Sequence, residues 1–210
     1  MRSMVLSGFV FLTSMLMANV GQAMDIQAGK QYVELSSPVP VEQAGKIEVI
    51  EFFWYGCPHC YSFEPVINPW VAKLPSDVNF IRIPAFFGGL WDAHGQMFLT
   101  LQSMGVESKV HQAIFKAIQE DKRPLAKPED MAIFLASQGV DQQAFLDTYN
   151  SFAVQGAVAN AKQFASEYKV MGVPTMIVNG KYRTDVGMAG GQEAILQVVD
   201  ALIAKERKAQ

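Results

Sequence analysis

Glu51-Phe52-Phe53-Trp54-Tyr55-Gly56-Cys57-Pro58-His59-Cys60 is the stretch on which the reading of this chain turns. With Ile47 to Ile50 before it, it forms an apolar, aromatic run of the length and composition of a buried strand. Gly56 breaks the run. Pro58 then stands where a first helical residue would, with φ already fixed and no N–H to waste. Cys57 is therefore expected at the mouth of a helix, where unpaired backbone N–H groups and the positive dipole end favour an anion. A thiolate is such an anion. Cys57 and Cys60 are the only cysteines in the chain, and their spacing alone is compatible with a staple, a metal site or a redox pair.

The start of the chain bears on that choice. Arg2 supplies a positive charge, Met4 to Met17 is mostly apolar and uncharged, and Gly21-Gln22-Ala23 puts small residues at the positions a signal peptidase reads. The alternative, a membrane anchor, needs an apolar stretch of about 20 residues, and this one is shorter. Residues 1–23 are read as a cleaved secretory signal, with Met24 or a near neighbour first in the mature chain. Export leads to an oxidising compartment, where a cysteine pair can be a disulfide. Half of the residues are apolar, enough for a hydrophobic core without staples. A bridge across two intervening residues closes too short a loop to remove much entropy from the unfolded chain. The staple reading is weak, and the redox reading gains. The formal charge of −3, from 17 basic and 20 acidic residues, argues against nucleic acid as a partner.

Working outward, Tyr32 to Leu35 reads as a short edge strand and Val78 to Ile83 as a second core strand. Between the two core strands, Tyr61, Phe63, Val66, Ile67, Trp70, Val71 and Leu74 recur at helical spacing. Pro65 and Pro69 inside that pattern predict a kink or a break. Strand, helix and strand have the length of a parallel crossover. From Asp92, read as a helix cap, to about Tyr168 the chain becomes a succession of five short amphipathic helices with short connections, as in an antiparallel bundle. Sheet signals return at Pro174 to Val178, followed by Asn179-Gly180 and Lys181 to Thr184, the strongest local hairpin signal in the chain. Gln192 to Lys208 reads as a last helix whose basic end, Lys205, Arg207 and Lys208, suits a helix C-terminus.

Together, a Cys-x-x-Cys at a strand-to-helix turn, a hairpin preceded by Val173-Pro174, a final helix, the Pro58-His59 dipeptide, the export signal and the helical insertion resemble the DsbA-type periplasmic thiol:disulfide oxidoreductases of the thioredoxin superfamily. The resemblance covers essentially all of the sequence after residue 23. It implies an α/β thioredoxin fold, a central mixed sheet flanked by helices, with an inserted all-helical domain. The expected division is 24–88 with 166–210 for the thioredoxin-like part and 89–165 for the insertion. It also implies a protein disulfide oxidase that donates its Cys57–Cys60 disulfide to unfolded or partly folded exported proteins, with no cofactor besides that disulfide. A DsbB-type, quinone-linked membrane partner would reoxidise it. A monomer is expected. The alternatives are a disulfide isomerase, a kind that generally carries a dimerisation domain, or a reductase; a non-catalytic peptide-binding chaperone; and a zinc module.

The chemistry assigns roles to the site residues. Exchange needs an accessible thiolate, so Cys57, at the helix mouth, is expected to be the exposed, acidic sulfur. Cys60, one turn in, is the resolving one. His59, when protonated, adds positive charge beside Cys57. Glu51 sits among Ile, Val and Phe, where a carboxylate is costly unless neutral or paired; the other reading puts it at a wet strand edge, as is expected for Glu48. The resemblance favours Glu51 as a buried proton acceptor for Cys60. The family's usual lysine partner is missing, and Arg82, one position off by counting, is expected to face solvent. The resemblance also implies a cis Val173–Pro174 peptide opposite the cysteines, leaving the backbone of Val173 to pair with an extended substrate. Phe86, Phe87 and Met171 are available to line an apolar peptide groove. Trp91, Met97, Phe98 and Met104 are read as helix core. His94 and His111 have no ligand spacing to recommend them for zinc.

Overall fold

The computed structural model describes residues 25–209; the proposed signal lies outside them. A five-stranded mixed sheet has the order β1-β5-β4-β2-β3. Its strands are β1 (Val33–Glu34), β2 (Ile47–Phe53), β3 (Val78–Pro84), β4 (Thr175–Val178) and β5 (Tyr182–Asp185). Strand β2 lies between β3, parallel to it, and β4, antiparallel to it. Every residue of β2 is buried, which explains why apolar residues stand on both of its faces where a half-exposed strand would alternate. The hairpin β4–β5 turns at Asn179-Gly180, both with positive φ, as the twist of a tight hairpin requires. A Cβ on Gly180 would stand 1.9 Å from the Val39 carbonyl oxygen, so glycine here serves a close approach as well as a turn.

Helix α1 (Pro58–Val71) crosses between the parallel strands, and α8 (Gln192–Ala209) packs beside it. Ile47 and Val49 of β2 share a core with Phe63 and Ile67 of α1 and with Ile195, Val199 and Leu202 of α8. Side chains alternate along a strand, so Glu51, two residues after Val49, points to the α1 side of the sheet. Helix α1 runs without the expected break. Pro65 and Pro69 lie on its exposed face, where the carbonyls that lose their intrahelical donors face water. The buried stripe of Cys60, Phe63, Glu64 and Ile67 holds the other face in place.

Helices α2 (Leu90–Ser103), α3 (Glu107–Gln119), α4 (Pro128–Ala136), α5 (Gln142–Tyr149) and α6 (Phe152–Glu167) form the insertion between β3 and β4. Asp92 does not cap α2 as an N-cap residue. Gly89 is the N-cap, and Asp92 reaches back from the first turn to accept the Gly88 N–H at 2.8 Å. A four-residue helix, α7 (Val186–Ala189), follows β5 and escapes any periodicity argument by its length. Glu48 is not at a wet edge: it is 3% exposed and accepts the Glu42 N–H at 3.1 Å, because the segment before β2 folds over it.

The insertion and the sheet share one core. Phe53, at the end of β2, meets Phe98 of α2 edge-on at 5.0 Å and Tyr55 at 5.1 Å, with Phe115 of α3 at 6.0 Å. Edge-to-face pairs of this kind add to the area they bury. Phe53→Ala is expected to destabilise the protein by about 3–5 kcal/mol, measured as a lowered urea midpoint at an unchanged slope.

Candidate active site

Tyr55 and Gly56 form the turn that delivers Cys57 to the N-cap of α1, with Pro58 in the first helical turn. The turn is tight. A Cβ on Gly56 would sit 2.2 Å from the ring of Trp54, and the Cys57 N–H donates to the Trp54 carbonyl at 3.0 Å. Cys57 Sγ then does what a serine or aspartate oxygen does at most helix starts: it accepts the backbone N–H of Cys60, at 3.3 Å. Both cysteines are free thiols in the structure.

Burial corrects one expectation. Cys57 is 7% exposed and Cys60 is 1%, so the first sulfur lies in a crevice and not on an open surface. The cover is the Val173–Pro174 loop. That peptide is cis, and the Val173 carbonyl oxygen lies 3.6 Å from Cys57 Sγ. Beside it opens a cleft of about 330 Å³ lined by His59, Met171, Val173, Pro174, Arg183 and Asp185, among others. Met171 is 85% exposed on its rim. Phe86 is turned away from this cleft, under Lys162 and against Gly95, and Phe87 packs on Trp91. Trp91 is not helix core: it stacks on Trp54, 4.0 Å between centroids. Met97 and Phe98 are fully buried as expected, and Met104 is partly so.

The two sulfurs have opposite acidities. A hydrogen bond from the Cys60 thiol, then the Cys60 and His59 backbone N–H groups and the charge of His59, outweigh partial burial and bring Cys57 down to about 6. Burial, and next the hydrogen bond and charge of Cys57, push Cys60 far above an ordinary thiol. Glu51, fully buried, is raised to about 7, chiefly by burial and against the pull of Arg82. Its charge in turn contributes to holding Cys60 protonated.

Arg82 does not face solvent. In the parallel register Glu51 stands directly opposite Arg82, and Arg82 Nε donates to Glu51 Oε2 at 2.9 Å. The arginine thus occupies the charge-partner role that the sequence left empty; the count was off because the register of a parallel pair depends on where both strands begin. The other carboxylate oxygen, Glu51 Oε1, is buried without a hydrogen-bond partner among the described residues. Arg82 Nη2 also bonds Asn68 Oδ1 at 2.8 Å and lies 3.5 Å from Glu64 Oε1.

Glu64 and His111 were not singled out from the sequence for this site, yet both belong to it. Glu64 is 2% exposed and His111 is 4%. A legible signal existed for the first: Cys60, Glu64 and Ile67 are spaced as one buried helical stripe, so the carboxylate had to find partners. His94 serves elsewhere, with Nε2 2.8 Å from the Pro124 carbonyl oxygen. Among the described residues no group of three or more His, Cys, Asp or Glu is arranged to hold a metal ion.

With this geometry in hand, comparison with known proteins decides the family. The family model of the DSBA-like thioredoxin domain matches residues 48–202. The chain belongs to that family. It is 60% identical over 209 residues to the thiol:disulfide interchange protein DsbA of Pseudomonas aeruginosa, covering all of this chain and 99% of that one. With DsbA of Burkholderia cepacia it is 45% identical over 177 residues, 84% of each. The crystal structure of the P. aeruginosa protein superimposes with a TM-score of 0.85 at 64% identity, over 88% of this chain and 96% of that one. DsbA from Xylella fastidiosa gives 0.82 at 35%, over 87% and 98%. The thioredoxin fold with a helical insertion and the thiol:disulfide oxidoreductase class therefore stand.

The acidity of Cys57 has a thermodynamic consequence. A group whose folded-state pKa is depressed stabilises the fold above its unfolded pKa, and loses that stabilisation as pH falls through the folded value. For the dithiol protein the window lies between about 6 and the ordinary thiol value of about 8.5. Thiolate absorbance of the reduced protein should titrate with a midpoint near 6. The stability of the reduced form relative to the disulfide form should climb with pH across that window and be flat below it.

Proposed function

We propose that the chain is a periplasmic disulfide donor in which Cys57 carries the exchange and Cys60 resolves it. The observation that carries this reading is the capture of Cys57 Sγ by the helix start, with the Cys60 N–H at 3.3 Å, an environment that lowers the pKa of the Cys57 thiol to about 6. A stabilised thiolate is a stabilised reduced form and a good leaving group, and so makes the disulfide a strong oxidant, a relation for which this family is the standing example.

In the forward step a client thiolate attacks Cys57 Sγ of the Cys57–Cys60 disulfide. The S–S bond breaks, Cys60 leaves with the electron pair, and it takes up a proton. A second client thiolate attacks the client sulfur of the mixed disulfide and expels Cys57 as a thiolate. The client is oxidised by two electrons and the protein is reduced by two. Glu51 supplies the proton to Cys60 and recovers it during reoxidation. A carboxyl titrating near 7 serves both directions at neutral pH, and its unpartnered oxygen is the free acceptor. Pro58 sets the helix start, and His59 adds charge. Val173 and Pro174 form the wall on which an extended client backbone lies, and the adjoining cleft takes its side chains.

The partners under this reading are unfolded or partly folded exported proteins and a DsbB-type membrane reoxidase, and the acting form is a monomer. Among the described residues no helix is long and apolar enough to cross a membrane; residues 1–23 would direct export. The boundaries 24–88 with 166–210, and 89–165, complete the proposal.

Three measurements test it. At equilibrium with glutathione the dithiol form should dominate under conditions where an ordinary protein disulfide stays closed, and the reduced protein should melt at a higher temperature than the oxidised one. A disulfide form that melts higher would sink the oxidase reading. Cys60→Ala should accumulate mixed disulfides when its Cys57 thiolate attacks a disulfide-bonded client and expels one client thiolate, because no second cysteine resolves the product, and Cys57→Ala should accumulate none.

A further inference from the structure

The polar chain beneath the cysteines does not end in the thioredoxin part of the molecule. Glu64, on α1, receives its remaining partners from α3 of the insertion. His111 Nε2 lies 3.4 Å from Glu64 Oε1, and Gln112 donates to Glu64 Oε2, which also accepts Asn68 Nδ2 at 2.9 Å. Arg82 is shared between Glu51, at 2.9 Å, and Glu64, at 3.5 Å. One guanidinium thus stands between two carboxylates, and its hold on each depends on what else the other has.

We propose that His111 is a positioning residue for the exchange reaction: by holding Glu64 from the insertion, it leaves Arg82 to serve Glu51 beneath Cys60. This deepens the assignment of Glu51 as proton partner of Cys60 and rests on it.

The surroundings of His111 make it suited to carry charge for this purpose. Glu64 faces it from α1, and Glu107 from the preceding turn of its own helix, with Oε1 3.0 Å from Nδ1. Tyr55 faces it from the turn before α1, with its hydroxyl 2.9 Å from the same nitrogen. Arg82 of β3 reaches the cluster through Glu64. The rings of Phe53, Phe98 and Phe115 close the remaining sides. Nδ1 has one bonding direction for two neighbours. In neutral His111 with the proton on Nε2, Nδ1 accepts from the Tyr55 hydroxyl, and Glu107 Oε1 is left without a donor among the described residues. A proton on Nδ1 would supply the missing donor to Glu107 while Nε2 keeps its contact with Glu64. Burial opposes the imidazolium, and Arg82 repels it, but the bonds to Glu107 and Glu64 prevail and raise His111 above its ordinary value. The His111 charge is in turn among the influences that lower Glu51.

The test is the titration of Glu51 in the full reduced protein, read from the side-chain carboxyl carbon by NMR on glutamate-labelled samples. The wild-type midpoint should lie near 7. His111→Gln keeps a neutral hydrogen-bond donor near Glu64 and removes the cation. Glu64 then draws Arg82, and the Glu51 midpoint should rise by roughly half a unit or more. The pH profile of exchange at Cys60 should move with it. Glu107→Gln leaves the imidazole and the aromatic core in place and should shift both readouts the same way by less; it also serves if His111→Gln folds poorly. An unchanged or lowered Glu51 midpoint in either folded variant overturns the inference. Glu51→Gln separates it from the reading beneath: if that substitution leaves the pH profile of Cys60 unaltered, the proton-partner assignment fails, whatever His111 does to the titration.

Discussion

Everything chemical in this protein depends on a sulfur standing where a helix begins. Cys57 caps α1 by accepting the Cys60 N–H, so the helix start and the thiolate stabilise each other. A neutral thiol would be a poor cap; an anion completes the unpaired donors of the first turn and meets the positive end of the dipole. The same three-residue spacing puts the second sulfur under the first, buried, where it keeps its proton. One turn of helix therefore separates the acidities of two identical side chains, through environment alone.

That arrangement needs support from three sides, each from a different part of the chain. The sheet supplies Glu51 from the strand that leads into the motif. The far hairpin supplies the Val173–Pro174 wall, whose carbonyl closes over Cys57. The insertion supplies His111 and Gln112, which bond the carboxylate that α1 buries. The insertion is thus more than a lid on one edge. Its core is continuous with the sheet through Phe53, Phe98 and Phe115, and its polar residues terminate the network under the reacting sulfurs.

Buried charge in that network has a cost, since desolvation of ions is repaid only by close and complete pairing. The pairing here is close but incomplete. Among the described residues, Glu51 Oε1 has no donor, and Glu107 Oε1 gains one only when His111 carries a proton on Nδ1. In a core built for stability alone, apolar residues of the same shape would serve as well.

The order of the strands and of the longer helices, the helix start at Pro58 and the Asn179-Gly180 hairpin were legible from residues alone, because they rest on local rules: φ preferences, periodicity and capping. The unbroken course of α1 was not, because proline's effect depends on which face meets water, and that is set by packing. The short helix at Val186 carries too few residues for a period. Glu51 could be recognised as a carboxylate out of place, but its partner could not. Whether Arg82 lies opposite it depends on the register of two strands separated by a helix, which is a tertiary fact. Glu64, His111 and Glu107 likewise meet only because the insertion folds back onto α1. The amino-acid sequence by itself determined that there are two cysteines at a helix mouth and a misplaced acid before them. The tertiary structure alone decided how deep the first sulfur lies and which distant charges reach the acid, because burial and electrostatic contact are properties of neighbours in space.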